Sequence, residues 1–250
     1  MSGGHGHALY RPGDSAVHRL PAHVKVLALL AFVLVVVATP REHYWAFGAY
    51  ALLLAGVAAI ARVPARVVVA RMVVELPFVV FALLMPVVSQ GPRVDVLGLS
   101  LSEPGLLTGW NILAKGTLGV VASILLAATT DVRGLLAGLQ RLRVPDRLVE
   151  IASFMIRYAD VVAGDMRRMR IARESRGFQA RHLGHARVVA QGAGALFVRS
   201  YERGERVHLA MLSRGYAGSM PLTATAGAGR ADWLRGATLP LAAGVVAVLS

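Results

Sequence analysis

The run Tyr44-Trp45-Ala46-Phe47-Gly48-Ala49-Tyr50-Ala51-Leu52-Leu53-Leu54-Ala55-Gly56-Val57-Ala58-Ala59-Ile60-Ala61 decides the class of this protein. It carries no charge and is long enough to cross about 30 Å of hydrocarbon as a helix. Tyr44 and Trp45 open it with amphipathic rings suited to the headgroup level. The composition agrees: the 250 residues are 56% hydrophobic and 16% charged, with a mean hydropathy of +0.57. An ordinary soluble domain is roughly 45–50% apolar and about 25% charged, so this is a membrane protein. There is no cysteine, which excludes a disulfide framework and any thiolate metal site.

Comparable segments lie on both sides. Val26 to Ala38 is a short apolar run behind a polar, Gly/His-rich tail, and it spans only with help from Val24 and the stem of Lys25. A cleaved signal peptide does not fit, because the polar region is too long and several similar segments follow. Val67 to Ser89 carries Arg71, Glu75, Pro77 and Pro86, which reads as a kinked helix packed among others. Leu106 to Thr129 contains Asn111 and Lys115, and Ala237 to Leu249 is a final short run.

Residues 131–216 differ. They hold 16 of the 27 Lys+Arg and 8 of the 14 Asp+Glu, hence +8 of the net +13. Leu148, Ile151, Met155, Tyr158, Val162, Met166 and Met169 advance by three or four along one helix face, a spacing that usually marks a core. Pro145-Asp146 starts that helix, which is expected to reach Arg176, and a second covers about Ala186 to Arg214. Asp131 to Leu142 forms a short element in front. With the N terminus inside, Arg11, Arg19, Lys25, Arg62, Arg66, Arg71 and the whole insert lie on one side, leaving Arg41 and Arg93 outside. The positive-inside rule therefore places the N terminus and the insert in the cytoplasm. The expected architecture is an all-α membrane protein of about five transmembrane helices with a cytoplasmic helical domain before the last span. Its divisions are residues 1–130, 131–220 and 221–250.

Within the insert, Ser175-Arg176-Gly177-Phe178 is echoed by Ser213-Arg214-Gly215-Tyr216. A single copy is a helix C-terminus: glycine takes the left-handed position, arginine suits the negative end of the macrodipole, and the aromatic folds back. Two copies would display two arginines on fixed helix ends, each a planar fork of donors for a carboxylate or exposed carbonyls in a partner's groove.

These residues resemble the transmembrane coupling (T) component of energy-coupling factor transporters, in particular the cobalt-transport CbiQ type. In that family two cytoplasmic coupling helices end in a short Ala/Ser-Arg-Gly motif seated in grooves of two ABC-type ATPase subunits. Ser175-Arg176-Gly177 and Ser213-Arg214-Gly215 match it residue by residue. Leu20-Pro21-Ala22-His23-Val24-Lys25 is similar to the family's lead-in to its first helix, although an Asp is missing and His23 stands where Arg is usual. The resemblance implies a multi-pass subunit of the cell membrane that passes ATPase motion to a substrate-binding membrane subunit, with cobalt or nickel as cargo.

Other constellations point elsewhere or nowhere. No Gly-x4-Gly-Lys-Ser/Thr occurs, Ala114-Lys115-Gly116-Thr117 being the nearest string, so ATP hydrolysis is expected in partners rather than in this chain. No cofactor is implied, no nucleophile–base set stands out, and the basic patch has no nucleic-acid recognition motif. His5 and His7 are the one candidate metal pair, against the reading of a solvated tail. Glu75 and Lys115 are intramembrane ionisable residues, best read as a structural pair at comparable depth. The rival function, a self-contained secondary transporter or channel, would rest on them and on Asn111.

Overall fold

Pro21, Pro64 and Pro145 each stand immediately before a helix, where a missing backbone N–H removes no helical hydrogen bond. The computed structural model describes residues 10–96, 99–178, 182–218 and 227–250. In order the elements are α1 (Ala16–Arg19), α2 (Ala22–Ala38), α3 (Tyr44–Ile60), α4 (Ala65–Arg71), a 3-10 turn (Met72–Glu75), α5 (Leu76–Val88), β1 (Arg93–Val96), β2 (Leu99–Ser102) and α6 (Glu103–Thr129). Then come α7 (Val132–Arg141), α8 (Asp146–Glu174), a 3-10 turn (Leu183–His185), α9 (Ala186–Leu212) and α10 (Arg230–Leu249). The chain is an all-α membrane protein with one local exception among the described residues, the antiparallel hairpin β1–β2, in which Arg93 pairs with Ser102 and Val96 with Leu99.

Packing divides the chain into two units: Leu9–Gly138 with Ala224–Ser250, and a second that includes Leu139–Thr223. The first holds the apolar helices. Ala65–Val88, Glu103–Thr129 and Arg230–Leu249 are long and apolar enough to cross a membrane. The helices α2 and α3, 17 residues each, are apolar and at the short end of the spanning range. α10 begins at Arg230, a full seven residues before the apolar run at Ala237, because its first turns carry Asp232 and Arg235 and hydropathy registers only the part that follows.

The core of this unit centres on Tyr50, which is fully buried between Phe32 and Phe47 at ring-centroid distances of 6.0 and 6.2 Å. Both contacts are edge-to-face, the arrangement favoured by ring quadrupoles. The Thr39 hydroxyl donates to the Val35 carbonyl at 2.9 Å, so the Tyr50 hydroxyl donates to Thr39 at 2.8 Å and both hydroxyls are satisfied. Leu118, Ala122, Leu125 and Ala128 of α6 and Ala243 of α10 complete the cluster. α5 and α6 come close because α6 carries Gly109: a Cβ there would lie 2.6 Å from the Ala82 carbonyl oxygen.

The kink expected in the third span is a 3-10 turn. Pro77 has no N–H to give Val73, and the Leu76 N–H bonds the Val73 carbonyl instead. Glu75 sits at this break, 3% exposed, and accepts a hydrogen bond from the Thr117 hydroxyl. The expected Glu75–Lys115 pair does not form. Lys115 donates to the Val37 carbonyl at 2.8 Å, in the last turn of α2, where carbonyls lack helical partners. Residues 115 and 117 are about 200° apart around α6, so the two positions address different neighbours.

Lys25 fastens the start of α2. Its ammonium donates to the carbonyls of Thr129 (2.8 Å) and His18 (3.3 Å) and to the Thr130 hydroxyl (3.2 Å), using all three donors at the negative end of α6. His23 is also buried, and its ring meets Trp233 of α10 edge-on at 5.7 Å.

Candidate functional site

Both Ser-Arg-Gly motifs close their helices with the same backbone geometry. After α8, the Phe178 N–H bonds the Arg173 carbonyl at 3.1 Å and the Gly177 N–H bonds the Glu174 carbonyl at 3.0 Å. After α9, Tyr216 bonds Met211 and Gly215 bonds Leu212, each at 3.0 Å. This pair of reversed bonds is a Schellman cap. It requires the left-handed conformation at one residue, and Gly177 (φ +78°) and Gly215 (φ +83°) supply it. Each serine hydroxyl donates to the carbonyl three residues back, Ser175 to Ala172 at 3.1 Å and Ser213 to Ala210 at 3.0 Å.

The caps leave the intervening arginines outward. Arg176 and Arg214 are exposed, and neither side chain has a hydrogen-bond or ion-pair partner among the described residues. Other arginines of the same helices are engaged: Arg170 bonds Glu174 at 2.7 Å, while Arg168 and Arg203 both bond Asp165. Arg176 and Arg214 are set apart from the other exposed arginines of α8 and α9 by their place in the two caps, directly before Gly177 and Gly215.

Three contacts set α8 and α9 antiparallel. Gly192 faces Met169 and Arg173, Arg203 grips Asp165 Oδ2 through two nitrogens at 3.1 Å each, and the Tyr216 hydroxyl donates to Glu150 at 2.7 Å. In this register Arg214 lies opposite the start of α8 and Arg176 at its far end. The two arginines are thus roughly 35 Å apart at about 1.5 Å per residue. The bonds from Arg168 and Arg203 hold the Asp165 carboxyl below its ordinary value, and the bond to Glu150 raises the Tyr216 phenol above its own. Phe178, lacking a hydroxyl, packs on His185 at 5.1 Å.

The methionine stripe is not a core. Leu148, Ile151, Met155 and Met166 are more than half exposed, while Asp165 at the stripe's edge and Val149 on a different side of α8 are buried. Its regular spacing reflected an apolar face without showing what that face meets. Asp165 could have been suspected from its three-residue spacing to Arg168, whereas Glu150–Tyr216 and Asp165–Arg203 have no local signature. In the helix-rich membrane unit, Asn111 Oδ1 is buried without a hydrogen-bond partner among the described residues. His5 and His7 lie outside the described residues, and among those described no His, Asp or Glu cluster gathers as metal ligands.

Residues 13–224 match the family model described as cobalt transport protein, CbiQ. The cobalt transport protein CbiQ of Rhodobacter capsulatus is 29% identical over 195 residues, covering 76% of this chain and 72% of that one. The energy-coupling factor transporter transmembrane protein EcfT of Bacillus subtilis is 25% identical over 224 residues, covering 84% and 83%. That of Listeria innocua is 26% identical over 224 residues with the same coverage.

Proposed function

We propose, from the premise that this chain belongs to the CbiQ cobalt transport protein family, that it is the non-catalytic coupling subunit of an ATP-driven uptake transporter. The observation that carries the reading is the pair of identically capped helix ends, each holding out one unengaged arginine. Arg176 and Arg214 dock in grooves of two ABC-type ATPase subunits, where the guanidinium fork meets a carboxylate or helix-end carbonyls. Ser175, Gly177, Ser213 and Gly215 shape the backbone that presents them. ATP binding and hydrolysis in those subunits move the two ends, and α8 and α9 carry the motion toward a substrate-binding membrane subunit. Cobalt, or nickel as the chemically nearest cation, is the cargo, by extension from the names of the relatives. The insert and the N terminus face the cytoplasm, which the one-sided distribution of basic residues supports.

Helix ends capped by two backbone bonds resist fraying, so a push on the arginine acts on the helix as a whole. The Asp165–Arg203 contact then makes the two helices answer together.

Co-purification with the two ATPase subunits tests this. Arg176→Ala and Arg214→Ala each weaken retention and the double substitution abolishes it, with size-exclusion elution of the membrane unit unchanged. Normal retention and uptake by the double variant would remove the docking role.

A further inference from the structure

A cavity of about 290 Å³ opens in the membrane unit. It lies at one end of the helix bundle, since Ile60 ends α3, Thr129 ends α6 and Lys25 stands in the first turn of α2, and all three line it. Its wall is otherwise almost wholly aliphatic, drawn from α1, α2, α3, α6 and α10. Two lining residues are charged, Lys25 and Arg235, and both are cations.

These two cations are not equivalent. The Lys25 ammonium has its three donors committed to His18, Thr129 and Thr130, so it contributes field without a free hydrogen bond. Arg235 is exposed, and its guanidinium has no partner among the described residues. It stands six residues into α10, about 8 Å along the helix from Arg230. A cavity combining an aliphatic interior, a positive field and one free guanidinium fork suits a ligand with a hydrocarbon chain and an anionic head. It repels a divalent cation, so it is no part of a path for metal cargo.

We infer that this cavity is a binding site for one anionic phospholipid, with an acyl chain against Leu29, Leu54, Val57 and Leu125 and its phosphate on Arg235. The bilayer supplies such a ligand at high local concentration, and basic pockets between transmembrane helices are where anionic headgroups collect. The bidentate geometry of guanidinium and phosphate sets Arg235 apart from Lys25 as the recognising residue. The bound lipid fills the space left between α2, α3, α6 and α10 at this end.

Native mass spectrometry of the full chain from mild detergent, titrated with phosphatidylglycerol or phosphatidylcholine, tests the site. The wild type retains one phosphatidylglycerol in preference to phosphatidylcholine. Arg235→Gln, an exposed position that leaves packing alone, lowers phosphatidylglycerol occupancy about fivefold, the worth of one basic side chain near an anionic headgroup, and removes the preference. Ala28→Phe, which pushes a ring into the cavity, lowers occupancy of both lipids. Equal retention of the two lipids by the wild type, or unaltered retention in both variants, would overturn the inference.

Discussion

Replacing Gly177 and Gly215 is expected to weaken the hold on the ATPase subunits without touching either arginine. No heavy atom lies within 4 Å of where a Cβ would stand at either position, so steric collision contributes nothing. The effect comes from φ +78° and +83° alone. A residue bearing a Cβ resists that conformation by roughly 1–2 kcal/mol, Asn less and β-branched residues more. Alanine therefore depopulates each capped end by a factor of about 5–30, letting the arginine swing as the last turn frays. The ends are roughly 35 Å apart along the helices, so the two losses add. The assay is affinity for the ATPase subunits across Asn, Ala and Val at each glycine and both together, with helicity by circular dichroism as control. Binding falls in the order Asn, Ala, Val, and the double Ala variant loses about 2–4 kcal/mol in sum. If Val at both positions bound like wild type, the caps would not be what orients the arginines.

Gly109→Ala drives a methyl into the Ala82 carbonyl, a backbone atom that can move only by parting α5 from α6, and costs about 1–3 kcal/mol. It lowers the detergent melting temperature, whereas Gly48→Ala, with open space around it, does not. Lys25→Met strands the Thr129 carbonyl and removes two further bonds, for a loss of about 3 kcal/mol by thermal unfolding. Asp165 has a depressed carboxyl value in the folded protein. Its contribution is complete above pH ~4, the unfolded value, and is lost as pH falls through the depressed one. Asp165→Asn abolishes that part of the pH dependence of melting.

The apolar runs that mark the membrane helices could be read directly, because lipid demands uncharged stretches of helical length whatever the neighbours are. The caps were equally legible: Ser-Arg-Gly-aromatic encodes its own backbone, and Gly177 and Gly215 adopt the φ that such an ending needs. What escaped depends on how one helix is rotated against another. Glu75 and Lys115 are at plausible depth to pair, yet two residues along α6 turn the chain to another side, and Thr117 reaches Glu75 while Lys115 reaches Val37. The Met stripe of α8 failed for the same reason, since spacing identifies a face and not its occupant. The Glu150–Tyr216 bond spans 66 positions and rests on the antiparallel register of α8 and α9, which no local pattern encodes.

The antiparallel register has a further meaning. Residues 164 and 202 stand midway between the two arginine ends, and Asp165 and Arg203 sit beside that point. A half-turn about an axis there exchanges one capped end for the other, so a single chain without internal sequence duplication imitates a twofold dimer. Two copies of one ATPase could then meet it as equals, each seeing serine, arginine and a left-handed glycine. The imitation breaks at the aromatic: Tyr216 is tethered by its hydroxyl to Glu150, and Phe178 is not. Two identical motors would be attached to one stiff handle and one looser handle, and their strokes need not be mechanically interchangeable.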